Sequence, residues 1–270
     1  MKYKVLAFDL DGTLTNSEKI ITERTRRAIH AAQEDGCTIV LASGRPVYGI
    51  MPLARELKLH EHGGYILAYN GACIMDCRAN KTLYDRKIPD IYSSQICQFA
   101  MEHNYAILTY EGDCVITNKI NNRYVQIEAE INHLPVKQID NMDTYIRFPV
   151  NKFIIAEDPQ IVEKEIPTVR RRFPSLNVFT SAPFFMEIVP PAIDKSYTLK
   201  YLLTILGYTA EQLAAFGDGG NDVMMLKEAG MGVAMANAVD QAKRAAKHIT
   251  LSNDEDGCGV AIEKMMADEL

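Results

Sequence analysis

Short apolar segments alternate with amphipathic ones in the first third of the chain. The apolar segments show no polar alternation, and each predicts a buried strand: Val5 to Phe8, Thr38 to Ala42 and Tyr65 to Ala68. Helices are predicted between them over residues 22–34, with Thr22 as N-cap, and over residues 46–57, with Pro46 near the first turn. Strands that are apolar on both faces and separated by helices indicate a parallel sheet covered on both sides.

The same alternation returns in the last third of the chain. Further strands are predicted over residues 213–216, 231–235 and 248–250. Helices are predicted over residues 195–206, 222–229, 239–246 and 260–266. The two ends of the chain are therefore expected to build one parallel sheet together.

The middle of the chain has a different pattern of predicted strands and helices. Strands are predicted over residues 106–110, 114–117, 152–156 and 184–189, with helices over 91–103 and 161–173. The turn Glu111-Gly112-Asp113 indicates an antiparallel hairpin, and prolines mark both ends of the region, near Pro89 and Pro190. We predict an α/β fold with a core of residues 1–83 and 190–270 and an inserted α+β domain of residues 84–189.

Composition narrows the possible partners. The chain has 270 residues, of which 47% are hydrophobic, and a net charge of -6. An acidic chain without a basic stripe is not expected to bind nucleic acid or an anionic membrane surface. The six cysteines form no paired CxxC pattern, which indicates reduced thiols in a cytoplasmic protein. Neither a signal peptide nor a membrane span is expected.

Two aspartates end the first predicted strand. Asp9 and Asp11 stand one residue apart and are followed by Gly12. Like charges held close raise each other's pKa, and a hard divalent cation with oxygen ligands removes that penalty. The alternative is a strand that ends in an ordinary Asx turn. The pair by itself leaves both interpretations open.

Three further polar loops follow predicted core strands or begin helices. Ser43 and Gly44 precede a helix whose N-terminus offers free N–H donors to an anion. Lys195 lies in the first turn of a helix, where a cation opposes the macrodipole unless an anion faces it. The glycine-rich stretch from Gly217 to Asp222 carries Asp218, Asn221 and Asp222, and a simple helix cap needs only one such residue. In open parallel sheets, ligands bind beyond the carboxyl ends of the strands.

With these four loops in order, the chain resembles the phosphatases of the haloacid dehalogenase (HAD) superfamily, in the Cof-type branch that carries a large cap. No G-x-G-x-x-G or Walker A loop follows the first strand, which disfavours a nucleotide-binding alternative. The resemblance spans the whole chain and also rests on Asn70-Gly71-Ala72. The chain departs from the family pattern at Ser196 and Ala236, where glycine is usual.

The resemblance implies a Rossmann-like core, an inserted cap that selects the substrate, and Mg2+ as cofactor. Asp9 would be the nucleophile that forms an aspartyl-phosphate. Asp11 would act as general acid and then general base, for which a pKa moved towards neutrality is an advantage.

The remaining site residues also come from the resemblance. Asp9, Asp11 (through its carbonyl), Asp218 and Asp222 would form the metal set, with Asp222 either a direct ligand or a residue behind the ligands. The phosphoryl group would lie among Leu10, Ser43, Gly44, Lys195, Asn221 and Asn70. The expected partner is a small phosphorylated metabolite, with a sugar phosphate as the best guess.

Other functions stay open at this stage. A phosphomutase of the same fold would pass the phosphoryl group to a second substrate hydroxyl instead of water. Transport ATPases carry threonine where Asp11 stands. A phospho-accepting regulatory domain is a different class of protein, and Asp11 argues against it because a general base two residues from Asp9 would shorten the life of the modification.

Overall fold

The computed structural model describes residues 1–270. The strands in chain order are β1 Val5–Phe8, β2 Thr38–Ala42, β3 Tyr65–Ala68, β4 Cys73–Asp76, β5 Lys81–Asp85, β6 Ile107–Glu111, β7 Cys114–Thr117, β8 Val136–Gln138, β9 Phe153–Ala156, β10 Asn177–Ala182, β11 Phe185–Val189, β12 Leu213–Gly217, β13 Met231–Ala234 and β14 His248–Ile249. The helices are α1 Glu23–Glu34, α2 Val47–Glu56, α3 Leu59–His62, α4 Asp90–Glu102, α5 Arg123–Asn132, α6 Met142–Tyr145, α7 Pro159–Arg172, α8 Lys195–Leu206, α9 Val223–Glu228, α10 Asp240–Ala245 and α11 Gly257–Met266.

The chain divides into two compact units. The first, called the core unit below, contains Met1–Tyr84 and Asp194–Leu270, and the second, the inserted unit, contains Asp85–Ile193. None of the helices combines the length and the apolar character that a membrane crossing requires.

The sheet of the core unit positions the candidate site. Its eight strands run in the order β14-β13-β12-β1-β2-β3-β4-β5, and the pairings from β14 to β3 are parallel. Phe8 at the end of β1 lies opposite both Leu41 and Phe216. The loops that follow β1, β2 and β12 therefore meet at one edge of the sheet.

The inserted unit has its own six-stranded sheet, in the order β10-β11-β9-β6-β7-β8. All of its pairings are antiparallel except β7 with β8. Its core includes fully buried rings from α4, from β9 and from the end of α7: Phe99, Phe153 and Phe173. Burying three phenylalanine side chains contributes about 1.5–3 kcal/mol each, so this unit has a hydrophobic core of its own.

The α/β class predicted from the sequence is confirmed, and most predicted elements agree with the observed ones within two residues. Thr22 is the N-cap of α1 and accepts from the Thr25 N–H. Pro46 lies beside the first turn of α2 as its N-cap, so this helix begins one residue later than predicted. The last helix begins at Gly257 and not at residue 260.

Several elements were not predicted. These are the antiparallel strands β4 and β5 at the edge of the core sheet, together with β8, β10, α3, α5 and α6. Strand β5 is largely exposed, so it shows no apolar run. Each unpredicted strand has a short or weakly apolar segment, which leaves hydrophobic periodicity little to detect.

Candidate active site

Three carboxylates converge at the carboxyl edge of the core sheet. Asp9 follows β1, Asp218 follows β12, and Asp222 ends the short 3-10 turn Gly220–Asp222. One oxygen of each lies within 4.8 Å of the others. The structure thus brings together side chains that are 213 positions apart, from Asp9 to Asp222, because β1 and β12 are adjacent parallel strands.

Lys195 lies against these carboxylates. It is the first residue of α8 and is 1% exposed. Its Nζ is 2.5 Å from Asp9 Oδ1 and 2.7 Å from Asp222 Oδ1. Burial lowers the pKa of the ammonium group, but Asp222 and Asp9 outweigh that effect and raise it above its ordinary value. A cation is therefore stable at this helix start because two anions face it.

The carboxylate of Asp222 is fully engaged by the protein. Oδ1 accepts from Lys195, and Oδ2 accepts from the backbone N–H groups of Asp218 and Gly219 at 3.1 and 2.9 Å. Asp222 is 0% exposed. Its geometry favours the second of the two predicted roles, that of a residue holding Lys195 and the Asp218 loop in place.

Asp9 and Asp218 each keep one oxygen available. Lys195 donates only to Oδ1 of Asp9, and the Thr13 hydroxyl donates to Oδ1 of Asp218 at 2.6 Å. Oδ2 of each carboxylate accepts no hydrogen bond. Hard divalent cations prefer such carboxylate oxygens, so the residues present fit Mg2+.

The raised pKa values of Asp9 and Asp218 also favour a bound cation. Burial raises the pKa of Asp9 to about 8; Lys195 opposes this rise, and Asp222 and Asp218 add to it. Burial also raises the pKa of Asp218, and Asp222 contributes in the same direction. Two carboxylates whose charged forms are disfavoured gain most from a bound divalent cation.

Gly12 makes room for this arrangement. Its backbone has φ +84°, and a Cβ there would stand 2.6 Å from Asp218 Oδ2. A side chain at position 12 would thus occupy the space beside one of the two available oxygens. Gly12 is required here both by its positive φ and by the close approach of Asp218.

The carboxylate of Asp11 is paired with two cations. Arg45 Nε donates to Asp11 Oδ2 at 2.8 Å, Arg45 Nη2 donates to Oδ1 at 2.5 Å, and Lys19 Nζ lies 2.8 Å from Oδ1. Burial alone would raise the pKa of Asp11, but the hydrogen bonds and charges of Arg45 and Lys19 lower it below its ordinary value. The pKa of Asp11 is therefore moved away from neutrality, the direction opposite to the one that would favour a general acid.

The residues predicted to bind phosphate form a second group at the same edge. The Ser43 carbonyl accepts from the Asn70 N–H at 2.9 Å, and Asn221 Nδ2 donates to Asn70 Oδ1 at 3.0 Å. A Cβ on Gly44 would stand 3.2 Å from the Asn70 amide. Leu10 places its side chain in the core, and its carbonyl accepts from the Thr15 hydroxyl and N–H.

Arg45, Thr13 and Lys19 received no role in the sequence prediction. Arg45 and Thr13 stand inside stretches that the motifs already marked. Both could have been predicted as partners of the carboxylates, because Arg45 is a cation and Thr13 carries a hydroxyl in loops that face the carboxylate cluster. Lys19 carried no such signal, because it lies in a polar loop with no motif.

Comparisons with known proteins agree on one family. A model of haloacid dehalogenase-like hydrolases matches residues 6–262. The 5-amino-6-(5-phospho-D-ribitylamino)uracil phosphatase of Bacillus subtilis is 30% identical over 259 residues, which cover 96% of this chain and 94% of that protein. A haloacid dehalogenase-like hydrolase from Bacteroides thetaiotaomicron has a solved structure with a TM-score of 0.95 and 43% identity, covering 97% of this chain and 99% of that one. A solved sugar phosphatase of HAD subclass IIB gives a TM-score of 0.82 at 26% identity, covering 97% of this chain and 99% of that one.

Proposed function

Because the chain belongs to the haloacid dehalogenase-like hydrolase family and is a phosphatase, we propose that it hydrolyses sugar phosphates or similar small metabolites with Mg2+, through a phosphoryl group carried on Asp9. The observation that carries this proposal is the state of Asp9. One of its oxygens is held by Lys195, and the other is available at a cluster of carboxylates. Covalent catalysis by a carboxylate needs such an oriented and accessible oxygen.

One oxygen of the Asp9 carboxylate attacks the phosphorus, and the bond between the phosphorus and the leaving oxygen breaks. Lys195 stays hydrogen-bonded to Oδ1 and fixes the plane of the carboxylate. Its positive charge also stabilises the negative charge of the transferring phosphoryl group. Asp222 keeps Lys195 in place through the 2.7 Å contact.

Asp11 moves the protons. With Arg45 and Lys19 bound to it, the carboxylate is deprotonated. This suits the second step, in which a base takes a proton from the water that attacks the phosphorus, and the bond between the phosphorus and Asp9 breaks. In the first step the same group donates a proton to the leaving oxygen. For that step the Arg45 contact has to loosen, so that the carboxyl group can hold the proton.

Asp9, Asp218 and the carbonyl of Asp11 would hold Mg2+. When bound, the ion neutralises phosphoryl oxygens and lets an anionic carboxylate approach an anionic substrate. The Thr13 hydroxyl fixes the orientation of the Asp218 carboxylate by donating to its Oδ1.

The phosphoryl oxygens would be held by Lys195, Asn221 and the Ser43-Gly44 loop at the start of α2. Asn70 fixes that loop through its contacts with Ser43 and Asn221. We propose that the inserted unit acts as the cap that selects the leaving group. The names of two relatives, a sugar phosphatase and a phosphatase of a phosphorylated ribitylamino compound, support a sugar-like leaving group. The cytoplasmic location stays a prediction.

Phosphate release tests the proposal. The wild-type chain is assayed against p-nitrophenyl phosphate and a panel of hexose phosphates, with Mg2+ and with EDTA. We expect activity with Mg2+ only. Asp9→Asn should lower the rate by at least about three orders of magnitude, the scale of loss measured when an enzyme loses its nucleophile. Asp240→Asn changes an exposed aspartate at the start of α10 and serves as the matched control with unchanged activity. Turnover by Asp9→Asn at the wild-type rate would refute the covalent mechanism.

A further inference from the structure

A second cavity of the core unit lies at the opposite edge of the sheet from Asp9. Its volume is about 530 Å³, and its walls come from α2, from α3 and from the turn after β4. Strand β4 runs antiparallel to β3, with Asp76 opposite Tyr65. The turn after Asp76 therefore lies at the amino end of β3, whereas Asp9 follows the carboxyl end of β1. The volume falls within the range of small-molecule sites.

Arg78 in that turn is held in a fixed position. Asp76 Oδ1 accepts from the N–H groups of Arg78 and Ala79, both at 2.9 Å, which fixes the backbone of the turn. Arg78 Nη2 donates to the Glu61 carbonyl at 2.5 Å. The guanidinium lies over Gly63, where a Cβ would stand 3.2 Å from Arg78 Cζ. A pre-positioned cation loses little conformational entropy when it binds an anion.

Neither arginine of this cavity forms an ion pair. Arg78 makes its side-chain bond to a carbonyl, and Arg55, on the face of α2 that lines the cavity, makes no ion pair. The neighbouring carboxylates have other partners: Glu56 pairs with Arg26 at 3.2 Å, and Glu61 approaches His60, which also lines the cavity, at 3.5 Å. Asp76 accepts from backbone N–H groups of the turn. The two guanidinium groups therefore keep hydrogen-bond donors for an oxyanion of a ligand.

The floor of the cavity is apolar. Met51 and Ala54 line it from α2, and Cys77 lines it from the turn. Burial, with a contribution from Asp76, raises the pKa of the Cys77 thiol to about 12, so this side chain is uncharged at neutral pH. A hydrated inorganic ion would gain nothing from such a floor, whereas the apolar body of an organic ligand would.

We propose that this cavity is a second ligand site, which binds a small organic anion with a phosphate, sulfonate or carboxylate head on an apolar body. The head pairs with Arg55 and Arg78, since planar guanidinium groups bind such oxyanions bidentately. The body covers Met51, Ala54 and Cys77. This site goes beyond the proposed phosphatase reaction, and none of its residues touches Asp9.

Calorimetric titration with naphthalene-2-sulfonate tests the proposal, because the probe has a sulfonate head and carries no phosphate ester to hydrolyse. The full-length chain is titrated in a phosphate-free buffer, because phosphate would compete for the two arginines. We expect binding that weakens as salt rises. Arg55→Gln together with Arg78→Gln should weaken it by about tenfold or more, as expected for lost charge-assisted hydrogen bonds.

Three comparisons make the result decisive. Arg55→Gln alone removes a side chain without an ion pair and should weaken binding even if Arg78→Gln disturbs the turn. Arg27→Gln, at an exposed arginine of α1 that pairs with Glu23, should leave the affinity unchanged. Neutral 2-naphthol should bind about tenfold more weakly than the sulfonate. No binding to the wild-type chain, equal binding by both Gln variants and the wild type, or equal binding of 2-naphthol would each overturn the proposal.

Discussion

Arg45 and Asp11 form a bidentate ion pair, with Nε 2.8 Å from Oδ2 and Nη2 2.5 Å from Oδ1. The arginine side chain is 8% exposed and that of the aspartate 35% exposed. The pair therefore holds the proposed proton-transferring group in its ionised form at the rim of the site. Breaking and remaking this contact would separate the acid step from the base step.

Substitution Arg45→Gln should raise the pKa of Asp11 towards its ordinary value of 3.8, because the largest opposing cation is lost. Carboxyl-carbon NMR of the Mg2+-free protein measures this titration directly. Arg24→Gln, whose partner is Glu263, is the control and should leave Asp11 unchanged.

The same variant has a consequence for stability. A depressed pKa contributes stability above the unfolded value, and that contribution is lost as the pH falls through the folded value. The stability difference between wild type and Arg45→Gln should therefore narrow below pH 3.8 or so. An Asp11 titration that is identical in both proteins would show that Arg45 does not set its charge.

Asp11→Asn should let the phosphorylated enzyme accumulate. The variant keeps the Asp9 nucleophile but loses the base that activates water for the second step. Mass spectrometry after reaction with an activated phosphoryl donor such as acetyl phosphate should find the added mass on Asp9. The wild type, which keeps Asp11, should show a smaller fraction. No accumulation in Asp11→Asn would remove Asp11 from the base role.

The sequence predicted the parallel core well because its strands are buried on both faces. Val5 to Phe8 and Thr38 to Ala42 have hardly a polar position, and such runs have few alternative interpretations. The largely exposed strand Lys81–Asp85 escaped prediction for the opposite reason. Its position at the sheet edge leaves its side chains in contact with water, so hydrophobicity carries no signal there.

The sequence predicted which loops meet at the site, but it did not predict which side chains in those loops bond to each other. Chain order and parallel pairing place Asp9 and Asp218 at one sheet edge. Whether the Asp11 carboxylate lies beside Asp9 or pairs with Arg45 depends on side-chain rotamers and on distances of a few ångströms. Motif spacing does not contain that information. The direction of the Asp11 pKa shift depends on the pairing with Arg45, so it could not be predicted either.

Mg2+ affinity should rise with pH up to about 8 and level off above it. Burial raises the pKa of Asp9 to about 8, so below that pH the cation has to displace a proton from its ligand. Isothermal titration in buffers with different ionisation enthalpies counts the released protons. Asp9→Asn has no such proton to release and should bind weakly at every pH. An affinity of the wild type that is flat between pH 6 and 8 would contradict the raised pKa.

Stability of the Mg2+-free protein should show the converse trend. Because the folded-state pKa of Asp9 lies above its ordinary value, the folded state binds more protons than the unfolded state between pH 3.8 and about 8. Its contribution to stability is therefore lost as the pH rises through that window. Chemical denaturation at pH 6 and pH 9 measures the free energy of unfolding, which should be larger at pH 6. With saturating Mg2+ it should be larger at pH 9.

Gly12→Ala should weaken Mg2+ binding, and Gly36→Ala provides a matched control. Both glycines have nearly the same left-handed backbone, with φ +84° and +85°. A Cβ at position 12 would stand 2.6 Å from Asp218 Oδ2, whereas a Cβ at position 36 meets nothing within 4 Å. Both variants should lose about 1–2 kcal/mol of unfolding free energy from the strained backbone.

Only Gly12→Ala should also lose Mg2+ affinity, by about 10-fold to 100-fold, because the methyl group displaces the Asp218 carboxylate from its place beside Asp9. Denaturant unfolding without metal gives the first quantity, and titration with Mg2+ gives the second. Equal Mg2+ affinities in the two variants would mean that Asp218 Oδ2 is not a ligand. A large loss in Gly36→Ala would mean that backbone strain alone disturbs the site.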